Sequence, residues 1–324
     1  MDIREKLYQM FILGLDGNGY KEALTKGLGG IIFFTKDIQT PKQFKNLCAE
    51  ITSQSKITPF LSIDQEGGRV ERTENIHGGK KYLSAKFAFE KGEEFLRNQT
   101  DEIAKELKSY GINMNFAPCI DVNTNPNNPI IGERAFSNKP EEVILGQKIV
   151  STTYRNNGII PCVKHFPGHG DANADSHLTL PQINLTLKEM EQTHIKPFAD
   201  AVKDGIEMVM VAHLHCTCFE KEEIPTSLSK NAINYLRNSL NFNGVAISDD
   251  MIMKGVAKFG AKTACEMGIR AGLNMFIYRN SLPETIDIIE FLVQKAQGDR
   301  ELFANIETSF EKIIELKKKF GLLK

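Results

Sequence analysis

The 324-residue chain has no tryptophan, no excess of charge of either sign and no long apolar run. Lys and Arg number 40 against 41 Asp and Glu, a formal net charge of -1. A nucleic-acid-binding chain would carry a clear basic excess, so that class is excluded. No window reaches the roughly 18 uninterrupted apolar residues that a membrane-spanning helix needs. The opening Met1-Asp2-Ile3-Arg4-Glu5-Lys6 has charges of both signs where a secretory leader carries its apolar stretch, so a cytoplasmic location is expected. Six cysteines (Cys48, Cys119, Cys162, Cys216, Cys218, Cys265) follow no disulfide-framework spacing and read as reduced thiols. No GxGxxG follows the first apolar run and no P-loop occurs anywhere, which argues against the dinucleotide and nucleotide folds built on those loops. There is no Pro/Ser-rich linker, repeat or low-complexity tract, so one domain is expected over residues 1–324. The absence of tryptophan excludes nothing.

What is present is an ordinary globular composition, 41% hydrophobic and 25% charged, which rules out disorder. Eight short apolar runs read as buried parallel strands: Met10–Leu15, Gly30–Phe34, Phe60–Asp64, Asn113–Ala117, Ile159–His165, Met208–His213, Val245–Asp249 and Met275–Tyr278. None alternates cleanly, as expected where both faces are covered. Between them lie amphipathic helical stretches, Thr100–Tyr110, Glu141–Asn156, Leu187–Asp204, Lys230–Asn238, Lys262–Ala271 and Leu282–Gln297, with Ala304–Phe320 closing the chain. Eight strands alternating with helices predict an α/β fold, a single-domain (β/α)8 TIM barrel.

Polar residues gather at the C-terminal ends of the strands. The third ends in Asp64-Gln65-Glu66-Gly67-Gly68-Arg69, and Asp121-Val122-Asn123 follows the fourth. The fifth ends in Lys164-His165-Phe166-Pro167-Gly168-His169-Gly170, the sixth in His213-Leu214-His215 and the seventh in Ser248-Asp249-Asp250. Any one such cluster is what an ordinary strand-end turn contains. Five at successive ends converge on one mouth of a barrel, where barrel enzymes place their chemistry. The segment from Val163 to Pro181 holds three of the seven histidines, and its proline and glycines predict a shaped, mobile loop. Asp175 and His177 stand two apart, which in an extended segment puts both side chains on one side. A carboxylate beside an imidazole suits a general acid/base.

The motif KHFPGHG, then four residues, then DSH, resembles the signature of glycoside hydrolase family 3, in its bacterial β-N-acetylglucosaminidase branch. Asp64-Gln65-Glu66-Gly67-Gly68-Arg69-Val70 is similar to the family's block after barrel strand three. Ile131-Gly132-Glu133-Arg134-Ala135-Phe136-Ser137 is similar to its Gly-x-Arg-x-Phe block, and Ser248-Asp249-Asp250-Met251 to its nucleophile block. The matches come in family order over about residues 5 to 280. The resemblance implies that Asp249 is the nucleophile, that His177 is the acid/base in a dyad with Asp175, and that Asp64, Arg72, Arg134, Lys164 and His165 bind the sugar. It also implies retaining hydrolysis of β-linked N-acetylglucosamine. In the cytoplasm the substrate is then N-acetylglucosaminyl-1,6-anhydro-N-acetylmuramic acid, with or without stem peptide, as in peptidoglycan recycling. Arg72 has a second reading as a strand-end salt-bridge partner, because Thr73-Glu74-Asn75-Ile76-His77 departs from the family's aromatic-containing continuation.

The residue types fit that chemistry. A retaining glycosidase needs a carboxylate to attack the anomeric carbon and a proton donor for the leaving oxygen. Asp250 reads as a supporting or capping residue, and Asp121 as a holder for Lys164 or Arg134. No metal, other cofactor, nucleic acid or membrane partner is expected, and the chain is expected to be a monomer. Two other enzymes remain open. A β-N-acetylglucosaminide phosphorylase would use the same residues with phosphate as acceptor. A metal-dependent barrel hydrolase would use His213 and His215 with Cys216 and Cys218 as soft ligands. A non-enzymatic sugar-binding protein would not need an Asp at position 249.

Overall fold

The apolar runs become strands whose hydrogen bonds close into a ring. In the computed structural model, which describes residues 1–172 and 180–323, β1 (Phe11–Asp16), β2 (Gly30–Phe33), β3 (Phe60–Ile63), β4 (Met114–Asn115), β5 (Ile160–Phe166), β6 (Met208–Val211), β7 (Val245–Asp250) and β8 (Met275–Asn280) form a closed parallel barrel. Each strand neighbours the next in sequence. The ring closes where Phe11, Ile12 and Leu13 face Phe276, Ile277 and Tyr278. The strands read as continuous apolar runs because side chains fill the inside and helices cover the outside. All seven residues of β5 are buried.

The fourth strand is shorter than its run predicted. Beyond it, side chains replace the ladder: Asn115 Nδ2 donates to Gln65 O at 2.8 Å, and Asn115 Oδ1 accepts from Gln65 N at 2.9 Å. The expected helix Leu187–Asp204 is two helices, Leu187–Gln192 and Lys196–Lys203. Pro197 sits in the first turn of the second. Proline is tolerated there, but inside one continuous helix it would remove a donor and strike the preceding turn. The stretch Lys230–Asn238 starts as an α-helix to Asn234 and widens into a π-turn over Tyr235–Ser239. The helix Pro41–Gln54, unnamed from the sequence, starts at Thr40, whose side chain accepts from Gln43 N, with Pro41 in the first turn.

The closing helix Arg300–Lys319 seals the end of the barrel opposite the strand C-termini. Lys317 is fully buried there. Its ammonium donates to Gln9 Oε1 at 2.7 Å and Gly29 O at 3.1 Å, and lies 4.8 Å from the Phe60 ring centroid. Burial pushes its pKa down to about 7. Between that value and the ordinary lysine value, the unfolded chain holds a proton that the folded chain does not. Stability from this group therefore rises with pH across that window, by at most about 1.4 kcal/mol per pH unit. Urea unfolding of the wild type and of Lys317→Met at pH 7 and pH 9.5 checks this: the variant is expected to lose that part of the pH slope. No helix among the described residues is long and apolar enough to cross a membrane.

Candidate active site

The C-terminal strand ends surround a cleft of about 380 Å³ lined by Asp64, Arg72, Arg134, Lys164, His165, His169, Asp249, Asp250 and Arg279, with apolar walls from Phe34, Ile130, Met210 and Ile277. Consecutive strand residues normally point to opposite sides. Lys164 and His165 nevertheless both face the cleft, because the pairing of β5 with β6 shifts register between Val163 and Phe166. A bulge of this kind re-aims a side chain. The same device, between Met275 and Ile277 in the pairing of β8 with β7, accompanies the delivery of both Asp249 and Asp250.

Two of the sugar-binding residues inferred from the sequence, Arg134 and Lys164, are tied together by one carboxylate that the sequence reading left without a role. Glu66 accepts from Arg134 Nε and Nη2, both at 2.9 Å, and pairs with Lys164 Nζ at 2.6 Å. Lys164 also donates to Asp64 Oδ1 at 2.7 Å. Side-chain exposure is 5% for Glu66, 2% for Lys164 and 11% for Arg134, so the cluster is desolvated. Burial pushes the Glu66 carboxyl up, but Arg134 and Lys164 outweigh it and hold the group well below the usual carboxylate range. Lys164 is raised in turn by Asp64 and Glu66 against its own burial. Glu66 is thus ionised and is no proton donor. Removing one member of a buried ion pair strands the other charges, at about 3–5 kcal/mol. Glu66→Ala is expected to lower the unfolding free energy by that amount and to weaken sugar binding, as denaturant melts and KM will show.

Asp121 holds neither Lys164 nor Arg134, contrary to the sequence expectation. It lies completely buried behind the cleft. Its Oδ2 faces His165 Nδ1 at 2.7 Å, and its Oδ1 accepts from the His169 amide at 2.6 Å. Cys119 Sγ donates to it at 3.2 Å. Burial raises the carboxyl, but His165 and His169 hold it below its ordinary value. Cys119, Asp121 and His165 bring potential ligand atoms within 4.8 Å of one another. These types suit zinc, yet the set reads better as a hydrogen-bond network. Asp121 already takes N–H donors on both oxygens, and burial pushes the Cys119 thiol well up, away from the thiolate a metal needs. The His213 and His215 pair expected of a metal hydrolase is divided. His213 Nδ1 faces Ser227 Oγ at 2.7 Å, and His215 Nε2 faces Glu220 O at 3.0 Å. His215 belongs to a short parallel pairing of Gln182–Ile183 with His215–Cys216 outside the barrel.

Asp249 stands partly exposed on the cleft floor. Among the described residues its only hydrogen-bond donor is the Asp250 amide, at 2.7 Å to Oδ1. Burial raises its pKa, but His165, His213, the Asp250 amide and Lys164 together hold it below the ordinary value. It is therefore an ionised carboxylate facing open space. Asp250 is ion-paired to Arg279 at the rim, which makes it a supporting group. Arg72 has no carboxylate partner among the described residues, so a salt bridge does not position it. Gln65 Oε1 does, accepting from the Arg72 amide at 2.8 Å, while the guanidinium lies 5.8 Å from the Phe34 ring centroid.

His169 is buried and neutral, its pKa taken down to about 4 by burial. The glycines beside it are there for space. A Cβ on Gly170 would stand 1.7 Å from Val122 O, and one on Gly168, where φ is +122°, 2.6 Å from His194 Cβ. They serve close packing at the root of the loop, whereas the sequence reading gave them to mobility. Asn128 Nδ2 pins the same root through His169 O at 2.8 Å. Asp175 and His177 lie outside the described residues.

The description "Glycosyl hydrolase family 3 N terminal domain" matches residues 2–316. Beta-hexosaminidase A of Pseudoalteromonas piscicida is 32% identical over 321 residues, covering 90% of this chain and 53% of that protein. Beta-hexosaminidase of Methylococcus capsulatus is 32% identical over 276 residues, covering 82% of this chain and 79% of that protein. The solved structure of a glycoside hydrolase family 3 beta-N-acetylglucosaminidase from a Paenibacillus species superposes with a TM-score of 0.91 at 29% identity, covering 99% of this chain and 63% of that one. The chain thus spans about half the length of the first of these relatives and under two thirds of the third. With an (α/β) barrel, a cleft at its strand C-termini and a family match over nearly the whole sequence, the chain belongs to glycosyl hydrolase family 3.

Proposed function

We propose that the protein is a retaining β-N-acetylhexosaminidase that releases terminal N-acetylglucosamine from peptidoglycan fragments, N-acetylglucosaminyl-1,6-anhydro-N-acetylmuramic acid with or without peptide. One observation carries the reading most: an ionised, partly exposed Asp249 on the floor of a cleft that the cationic side chains of Lys164 and Arg134 and the His165 ring also line. Beta-hexosaminidases among the relatives support the choice of sugar.

In this reading Asp249 attacks the anomeric carbon as the glycosidic C–O bond breaks. The departing oxygen takes a proton from His177, which Asp175 orients. The glycosyl–Asp249 ester is then cleaved by water, whose proton returns to His177 while the hydroxide oxygen bonds to the anomeric carbon. Asp64, Arg72, Arg134, Lys164 and His165 hold the sugar. Glu66 cannot compete as acid, since two cations keep it ionised. The test is product analysis on 4-nitrophenyl N-acetyl-β-glucosaminide and on the muropeptide fragment, with and without phosphate. Free N-acetylglucosamine as the main product supports hydrolysis. N-acetylglucosamine 1-phosphate formed faster than free sugar at millimolar phosphate would replace it with the phosphorylase reading.

A further inference from the structure

We infer that Asp121 is a positioning residue that sets the tautomer of His165, so that Nε2 accepts from Arg134 and the ring is held in one orientation at the cleft. This rests on the proposed glycosidase reading for its kinetic consequence, though not for the tautomer itself.

The geometry leaves one assignment. Arg134 can only donate. Its Nη2 donates to Glu66 Oε1 at 2.9 Å and stands 3.3 Å from His165 Nε2, so Nε2 receives an N–H on its lone pair. With Nε2 as the acceptor, the ring proton sits on Nδ1, where Asp121 Oδ2 accepts it at 2.7 Å. The carboxylate cannot turn away from that task. Its Oδ1 is held by the His169 amide at 2.6 Å, the His165 amide reaches both oxygens at 3.3 Å, and the Cys119 thiol adds a contact to Oδ2 at 3.2 Å. All of its neighbours donate, so no orientation of an amide in its place satisfies them all. Asp121 does not line the cleft, while His165 does, so it acts through the ring it holds. The effect is long-range in sequence. The carboxylate after β4 fixes the chemistry of a side chain on β5.

Asp121→Asn tests this. An amide has one acceptor and two donors. Its NH₂ must therefore face either the His169 amide or His165 Nδ1, and in the second case the ring changes tautomer and turns a donor toward Arg134. The expected loss in kcat/KM on 4-nitrophenyl N-acetyl-β-glucosaminide is roughly 10- to 100-fold, the usual scale for losing the partner that orients a histidine. Three further measurements separate positioning from mere structure. Histidine ¹⁵N chemical shifts of the unliganded protein should show His165 protonated on Nδ1 in the wild type and altered in Asp121→Asn. Asp121→Asn added to His165→Ala should lower kcat/KM far less than Asp121→Asn does in the wild type, since coupled residues are not additive. A thermal melt gives the folded fraction to which each kcat/KM is normalised. An Nε2-protonated His165 in the wild type would overturn the inference, as would additive losses, or an unchanged kcat/KM per folded molecule. If the wild type does not hydrolyse the glycoside, the functional reading fails while the ¹⁵N shifts still decide the tautomer. Should Asp121→Asn fold poorly, Asp121→Glu supplies the same charge one methylene longer: partial recovery of the Nδ1 signal supports positioning, and none overturns it.

Discussion

Asp249→Ala is expected to reduce turnover by roughly 10⁴- to 10⁶-fold, the scale seen when a catalytic nucleophile is removed, while the far-UV spectrum and melting transition stay close to wild type. The fold should survive because this side chain makes one hydrogen bond among the described residues, to the neighbouring Asp250 amide, and belongs to no ion pair there. The surrounding His165, His213 and Lys164 keep it charged despite burial. A 2-deoxy-2-fluoro or 5-fluoro glycoside that slows the second step should leave the mass of one sugar on the peptide containing Asp249. A label on Asp64 or Asp250 would refute the assignment. Those two carboxylates are engaged, Asp64 with Lys164 and Asp250 with Arg279, and neither is free to attack.

His177→Ala should show a loss that depends on the leaving group. With a glycoside whose aglycone departs only when protonated, the expected fall is roughly 10²- to 10⁴-fold, the range for general acid catalysis. With 4-nitrophenolate, which leaves unprotonated, glycosylation should be nearly spared and deglycosylation should become limiting, because in the proposed mechanism the same residue activates water. A pre-steady-state burst of nitrophenol reads this directly. An equal loss on both substrates counts against His177. Asp175→Ala should give a milder form of the same pattern. Two described residues near the cleft are poor candidates for the acid role. Glu66 is locked as a carboxylate between Arg134 and Lys164, and His169 is buried with its pKa near 4, poorly suited to deliver a proton at neutral pH.

Much of the architecture was legible because barrel strands and their helices are local patterns. Each of the eight apolar runs became one strand, with ends moving by a residue or two as side chains took over the ladder, as Asn115 does after β4. The split near Pro197 was missed: a proline marks a boundary in any helix, but amphipathic periodicity on both sides hid it. Lys317 was not legible. On an exposed helix face a lysine is expected in solvent, and only the seat of the closing helix against Gln9 and Gly29 makes it a buried amine.

The site divides the same way. Which residues can do chemistry, and that they gather at five strand ends, followed from the sequence alone, because residue type and strand position are properties of short segments. Which of them meet did not. Glu66 lies 68 residues from Arg134, and Asp121 lies 44 from His165. Those pairings exist because the barrel closes and brings successive strand ends to one mouth. Two bulges then turn neighbouring side chains of β5 and β7 into the same cleft. Burial completes the result, since charges that water would screen apart on an open chain have only each other inside the barrel. Glu66 thereby became the clamp of Arg134 and Lys164, and Asp121 the partner of His165, although neither differs in the sequence from any acidic residue beside a turn.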